Sequence, residues 1–181
     1  MDSTQKSPHY AVVAYVRNRL GKFVEDLRSE LYPEHAHLPA HVTILPPRPL
    51  CGTEQQAIES LTQGARQFRP FDIELDTIET FAPTTPTVFI RVARAAHLFR
   101  EMHDHFNTGP FHCRESWTYI PHLTIVKMPS LDESQAALVT ARDRWRKFVG
   151  ARTCPIEELT FVREGESNHW IDLATVKLTG K

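Results

Sequence analysis

One tetrapeptide pattern occurs twice in this chain and constrains its fold more than any other feature. His41-Val42-Thr43-Ile44 and His122-Leu123-Thr124-Ile125 stand 81 residues apart, each inside a short apolar frame. In a strand, successive side chains point to opposite faces. Each histidine therefore shares a face with the threonine two places on, while Val42 and Ile44, or Leu123 and Ile125, turn the other way. The apolar pairs belong in a core, and the polar pairs belong on an open surface.

The surroundings of the two motifs also correspond. Residues 10–16 read as a buried strand. Apolar residues at Leu20, Phe23, Val24, Leu27 and Leu31 mark an amphipathic helix that Pro33 ends. Residues 40–45 are a short strand stopped by Pro46 and Pro47. Thr53 and Gln56 form a capping box for a helix over 54–67, and 71–81 is a strand. The order then recurs: a strand at 87–93, a helix at 95–107, a strand at 119–126, a helix from a Ser130 cap to about Val149, and strands at 155–163 and 169–178. The offset is 77 from Tyr10 to Thr87, 81 between the histidines and 83 from Ile73 to Ile156. Three landmarks at nearly one offset predict an internal duplication. The expected fold is α+β: a single domain over 1–181, with pseudo-repeat lobes at about 8–83 and 84–178 around a central cleft.

Composition narrows the function. A net charge of −1 removes the broad basic field that a long-duplex DNA binder needs. Cys51, Cys113 and Cys154 are scattered without a C-x-x-C, which argues against a disulfide framework and a thiolate metal site. The reading is a cytoplasmic monomer. Residues 1–10 are polar, so no signal peptide is expected, and no apolar run is long enough to span a membrane. No Gly-rich phosphate loop points to an NTPase. His35 and His37 lie close to His41 but lack a carboxylate arrangement for a metal. His103 and His105, at i and i+2 on a helix, point apart. No metal or other cofactor is expected.

Two histidines in matching frames suit paired proton transfer on one phosphate. Opening a cyclic phosphate needs a base to deprotonate water and an acid to protonate the leaving oxygen. Imidazole titrates near neutrality and serves as either. Thr43 and Thr124 are placed to donate hydrogen bonds to the non-bridging oxygens.

The two H-x-T-φ motifs (φ apolar) resemble those of the two-histidine, or 2H, phosphoesterases, which include the 2′-5′ RNA ligase-like proteins. The order of elements is similar over nearly the whole chain. Phe81-Ala82-Pro83, the strand Thr87-Val88-Phe89-Ile90-Arg91-Val92 and Tyr119-Ile120-Pro121-His122-Leu123-Thr124 look closest to a small bacterial subgroup. The resemblance implies a bilobal fold with both motifs in a central cleft and activity on cyclic phosphates or 2′-5′ linkages of a nucleotide or RNA end. Where many family members carry an apolar stretch ending in Gly after the first motif, this chain has Leu45-Pro46-Pro47-Arg48.

Around the catalytic set of His41, Thr43, His122 and Thr124, Arg91 and Lys127 are candidate charge partners of the phosphate. Tyr15, Phe81, Trp117 and Tyr119 are candidate base-stacking aromatics. The alternative to a hydrolase is a nucleotide- or RNA-binding module that uses the same cleft without turnover. A metal hydrolase built on the clustered histidines is a third reading, separable by EDTA.

Overall fold

The computed structural model describes residues 7–181, so the reading of residues 1–6 as part of a polar, leader-free N-terminus lies outside the described residues. The strands are β1 (Tyr10–Tyr15), β2 (His41–Arg48), β3 (Phe71–Thr80), β4 (Thr87–Arg94), β5 (His122–Lys127), β6 (Thr153–Ile156), β7 (Glu158–Glu164) and β8 (Trp170–Lys177). Four helices join them: α1 (Arg19–Leu31), α2 (Glu54–Ala65), α3 (Ala96–Phe106) and α4 (Leu131–Lys147). The strands form one sheet in the order β6-β3-β4-β5-β2-β1-β7-β8, with every neighbouring pair antiparallel.

The motif strands β2 and β5 lie side by side at the centre. The two units expected from the sequence interleave on either side of them. β3 of the first unit pairs with β4 of the second, and β7 of the second pairs with β1 of the first. Each half of the sheet thus draws strands from both units. β6 and β7 lie far apart in strand order, yet only Glu157 separates them in the chain. A chain advances at most about 3.6 Å per residue, so the sheet must curl until its β6 edge approaches β7. That curl gives the sheet a concave side.

Side-chain caps start three of the four helices. Asn18 accepts hydrogen bonds from the amides of Leu20 and Gly21 to cap α1, Thr53 and Gln56 form the expected capping box of α2, and Ser130 caps α4. Gly21 is required by packing: a Cβ there would sit 1.7 Å from the Val16 carbonyl oxygen, so only glycine lets α1 start so close to the end of β1. The apolar residues of all four helices join Val42, Ile44, Leu123 and Ile125 in one core on one side of the sheet. Those four strand side chains are fully buried. Each contributes roughly 1.5–3 kcal/mol by leaving water. A slip of one residue would bury the histidines and threonines instead, so the same burial fixes which face the polar residues take. The other side of the sheet carries a small cluster of Ala11, Val13 and Val162, with Tyr15 and Trp170 packed against it.

Most boundaries differ from the sequence reading by one or two residues, and three differ in kind. β2 continues through Pro46 and Pro47 to Arg48, because the register with β1 jumps from Val12↔Leu45 to Tyr10↔Arg48 and asks neither proline for an N–H. β5 begins at His122: Pro121 has no N–H to give the ladder, although its carbonyl still accepts from the Val92 amide, and Tyr119 turns toward the core. The single strand expected over 155–163 is broken at Glu157, where the chain leaves one end of the sheet and joins the other half.

Candidate active site

His41 and His122 are each the first residue of their strand. The two strands pair antiparallel at Val42↔Leu123. This register sets His41 across from Thr124 and Thr43 across from His122, so the four polar side chains form a square on one face. The histidines occupy diagonal corners, where Cβ atoms stand roughly 7–8 Å apart and longer side chains can meet over a common point. All four residues line a single cavity of about 420 Å³ on the side of the sheet that carries Ala11, Val13 and Val162.

Both imidazoles are held the same way. His41 Nδ1 lies 2.8 Å from the carbonyl oxygen of Pro39, and His122 Nδ1 lies 2.6 Å from that of Ile120. A carbonyl oxygen can only accept, so each Nδ1 carries the hydrogen and each Nε2 keeps its lone pair. Among the described residues neither Nε2 has a protein partner, and neither does the hydroxyl of Thr43 or Thr124. The His122 ring is further fixed by edge contacts with Phe81 and Phe89, at centroid distances of 4.9 and 5.1 Å, and the Tyr15 ring meets His41 edge-on at 6.3 Å.

Electrostatics at the site favour an anion. Burial is the main cause that lowers the pKa of both His41 and His122 below the usual imidazole value. The carbonyl bonds oppose this shift. For His41 the charge of Arg28 and repulsion from His122 lower it further. No Asp or Glu lines the cavity, whereas Arg28 and Lys127 do.

Arg28, on α1, lies outside the candidate residues that the sequence motifs mark. Its side chain is almost fully buried, and its guanidinium donates to the backbone carbonyls of Ile125 (2.8 Å), Thr124 (2.8 Å) and Leu38. It forms no ion pair among the described residues. Burying a cation costs several kcal/mol, and the nearby charge of Glu25 offsets only part of it. A signal for it existed: Arg28 follows Val24 by four residues, so it falls on the apolar stripe of α1, where a charge is out of place.

The remaining candidates divide. Tyr15, Phe81 and Lys127 line the cavity. Arg91 stands opposite His122 in the β4–β5 register, but it is exposed, reaches Glu79 at 3.5 Å and does not line the cavity. Trp117 is 72% exposed in the loop before β5 and also lies outside it. Tyr119 points into the core. It stacks on His103 at 4.3 Å and donates its hydroxyl to the Thr43 carbonyl at 2.7 Å, which keeps it from a substrate base. Both ring nitrogens of His103 face carboxylates, those of Asp104 and Glu115, and Glu115 pairs with the buried Arg48. Arg48 thus locks the end of β2 to the segment before β5, while Pro47 beside it lines the cavity. Among the described residues no group of three or more His, Cys, Asp or Glu is placed to hold a metal ion. No described helix is long and apolar enough to cross a membrane.

The curled antiparallel sheet backed by four helices is the fold of the LigT-like 2H phosphoesterases. The chain belongs to the 2′-5′ RNA ligase superfamily, whose family model matches residues 16–168. A protein of Halalkalibacterium halodurans named as a phosphoesterase is 29% identical over 129 residues, which is 69% of this chain and 73% of that protein. Escherichia coli LigT in complex with NADP+ superposes with a TM-score of 0.64 at 14% identity, over 96% of this chain and 99% of LigT. LigT in complex with 3′-AMP superposes with a TM-score of 0.62 at 12% identity and the same coverage.

Proposed function

We propose that this protein is a metal-independent phosphodiesterase that acts on a 2′,3′-cyclic phosphate or a 2′-5′ phosphodiester of a nucleotide or RNA end. The observation that carries the reading is the matched pair of imidazoles, each with Nδ1 tied to a backbone carbonyl and Nε2 free beside a threonine hydroxyl in one carboxylate-free cavity. Both hydrogen-bonded carbonyls orient a lone pair toward the place a phosphate would take. Such prepaid orientation is what general acid–base catalysis needs.

In the hydrolysis of a cyclic phosphate, one neutral Nε2 takes a proton from water as the water oxygen bonds to phosphorus. The other ring, protonated, gives its proton to the ribose oxygen as the P–O bond breaks. One water is consumed, a phosphomonoester is formed, and proton exchange with solvent resets both rings. Thr43 and Thr124 donate to the non-bridging oxygens. The buried charge of Arg28 and the exposed charge of Lys127 stabilise the phosphoryl negative charge. Because burial holds both free rings toward the neutral form, the bound phosphate anion is what makes one imidazolium favourable. A cavity of about 420 Å³ fits a nucleotide-sized ligand, and the similarly folded LigT binds 3′-AMP.

The test is turnover of nucleoside 2′,3′-cyclic phosphates and 2′-5′-linked dinucleotides by the purified protein, with the position of the product phosphate determined. Cleavage of either, with one regioisomer dominant, supports the reading. Binding of these compounds without turnover supports a non-catalytic nucleotide-binding module instead.

A further inference from the structure

The catalytic cavity has a neighbour. A second pocket, of about 430 Å³, shares Tyr15, Leu38, Pro39 and Trp170 with it, so the two meet along these side chains. Its remaining lining is Arg17, His37, His169 and Asp172, none of which reaches the catalytic cavity. The two spaces differ in chemistry. The catalytic cavity holds Arg28 and Lys127 and no carboxylate, which suits a phosphate. The second pocket includes the Asp172 carboxylate, which disfavours a phosphate and can accept from a hydroxyl or amino group.

The second pocket also presents flat groups. His37 and His169 stack with ring centroids 4.2 Å apart and planes 19° from parallel. Arg17 places its guanidinium 4.6 Å over the Tyr15 ring, and Tyr15 donates its hydroxyl to Asp172 at 2.6 Å. The stacked pair joins the loop before β2 to the β7–β8 hairpin, where Ser167 and Asn168 both adopt left-handed backbone conformations. His37 Nε2 lies 3.3 Å from the Asn168 carbonyl, and Asn168 itself lines the catalytic cavity. One bridge of residues therefore borders both spaces.

We infer that this second pocket binds the uncharged nucleoside on the far side of the scissile phosphate, its base stacked against the His37–His169 and Trp170 surfaces and its hydroxyls near Asp172. The preferred substrate is then a linear phosphodiester with a nucleoside on each side of the phosphorus. A lone cyclic mononucleotide fills only one of the two spaces. The inference rests on the phosphodiesterase reading above.

The test compares kcat/KM for adenylyl-(2′-5′)-adenosine with kcat/KM for adenosine 2′,3′-cyclic phosphate. The wild type and the His37→Ala, His169→Ala and Arg17→Ala variants are used, since these residues line the second pocket alone. Base stacking and cation contacts of this kind typically change binding by about 5- to 100-fold. The ratio of the two efficiencies is expected to fall roughly 10-fold or more in the His169→Ala variant, through loss on the dinucleotide. An unchanged ratio in all three variants overturns the subsite while leaving the phosphodiesterase reading intact. Calorimetry of adenosine binding in the presence of inorganic phosphate reads the subsite without turnover. Adenosine binding that His169→Ala weakens, in a protein that cleaves neither compound, retains the subsite and removes the catalytic reading. No adenosine binding together with no cleavage overturns both.

Discussion

Replacing Arg28 with Met isolates the charge that the fold buries beside the cavity. Methionine keeps much of the length and removes the cation. The change deletes bonds to the carbonyls of Thr124, Ile125 and Leu38, each worth roughly 1.5–3 kcal/mol for a charged donor. It also releases the several kcal/mol that burial of the cation costs. These opposing changes largely offset, so the fold is expected to survive. At an effective dielectric near 20, a unit charge within roughly 4–8 Å of another contributes on the order of 2–4 kcal/mol, or roughly 30-fold and upward. The variant should lose kcat/KM on a cyclic nucleotide by about that factor, with weaker inhibition by inorganic phosphate. Arg28 also helps to hold the His41 pKa down, so its removal should move one limb of the pH–rate curve to higher pH. Arg28→Lys keeps the charge and should keep the limb in place even if it loses stability. A purely structural role would change melting but not the limb. An Arg28→Met protein with native melting, efficiency, phosphate inhibition and pH profile would refute the reasoning.

Three further outcomes are expected. Thr43→Val and Thr124→Val should each cost roughly 10- to 100-fold in kcat/KM, the worth of a hydrogen bond to a charged group, by steady-state kinetics on folded protein. The pH profile of kcat/KM should be a bell centred on the acid side of 6.5, because burial lowers both histidines from that value. The bell for kcat should lie at higher pH, since bound phosphate stabilises the imidazolium; a shift of the kcat bell to lower pH would contradict this sign. Tyr119→Phe removes the bond to the Thr43 carbonyl and should lower stability by about 0.5–1.5 kcal/mol in urea unfolding, with activity affected less than by either threonine change.

The face assignment of the motifs was legible because it depends only on strand alternation. Val42, Ile44, Leu123 and Ile125 could be buried only by turning His41, Thr43, His122 and Thr124 the other way. The matched offsets led to the expectation that both motifs face one cleft, but not to β2 and β5 pairing at the centre of a single sheet. Partners across the sheet were less legible. Nothing local shows that β3 pairs with β4 and β7 with β1, since that choice depends on long-range closure. The aromatic candidates separated for a similar reason. Tyr119 and Trp117 lie in sequence beside His122, but the chain enters β5 only at His122, so one side chain turns to the core and the other to solvent. Arg28 lies 13 residues before His41 and reaches the site from a helix, through backbone carbonyls that no side-chain pattern records.

The central claim is that His41 and His122 work as one acid–base unit. The most direct measurement is kcat/KM for the His41→Ala, His122→Ala and double variants on a nucleoside 2′,3′-cyclic phosphate, with EDTA present throughout. Each single variant is expected to fold and to lose about 10²- to 10⁴-fold. The double variant is expected to be little worse than the poorer single, because neither group acts without the other. A wild type silenced by EDTA and restored by zinc would contradict the account, as would one histidine whose loss leaves the rate unchanged.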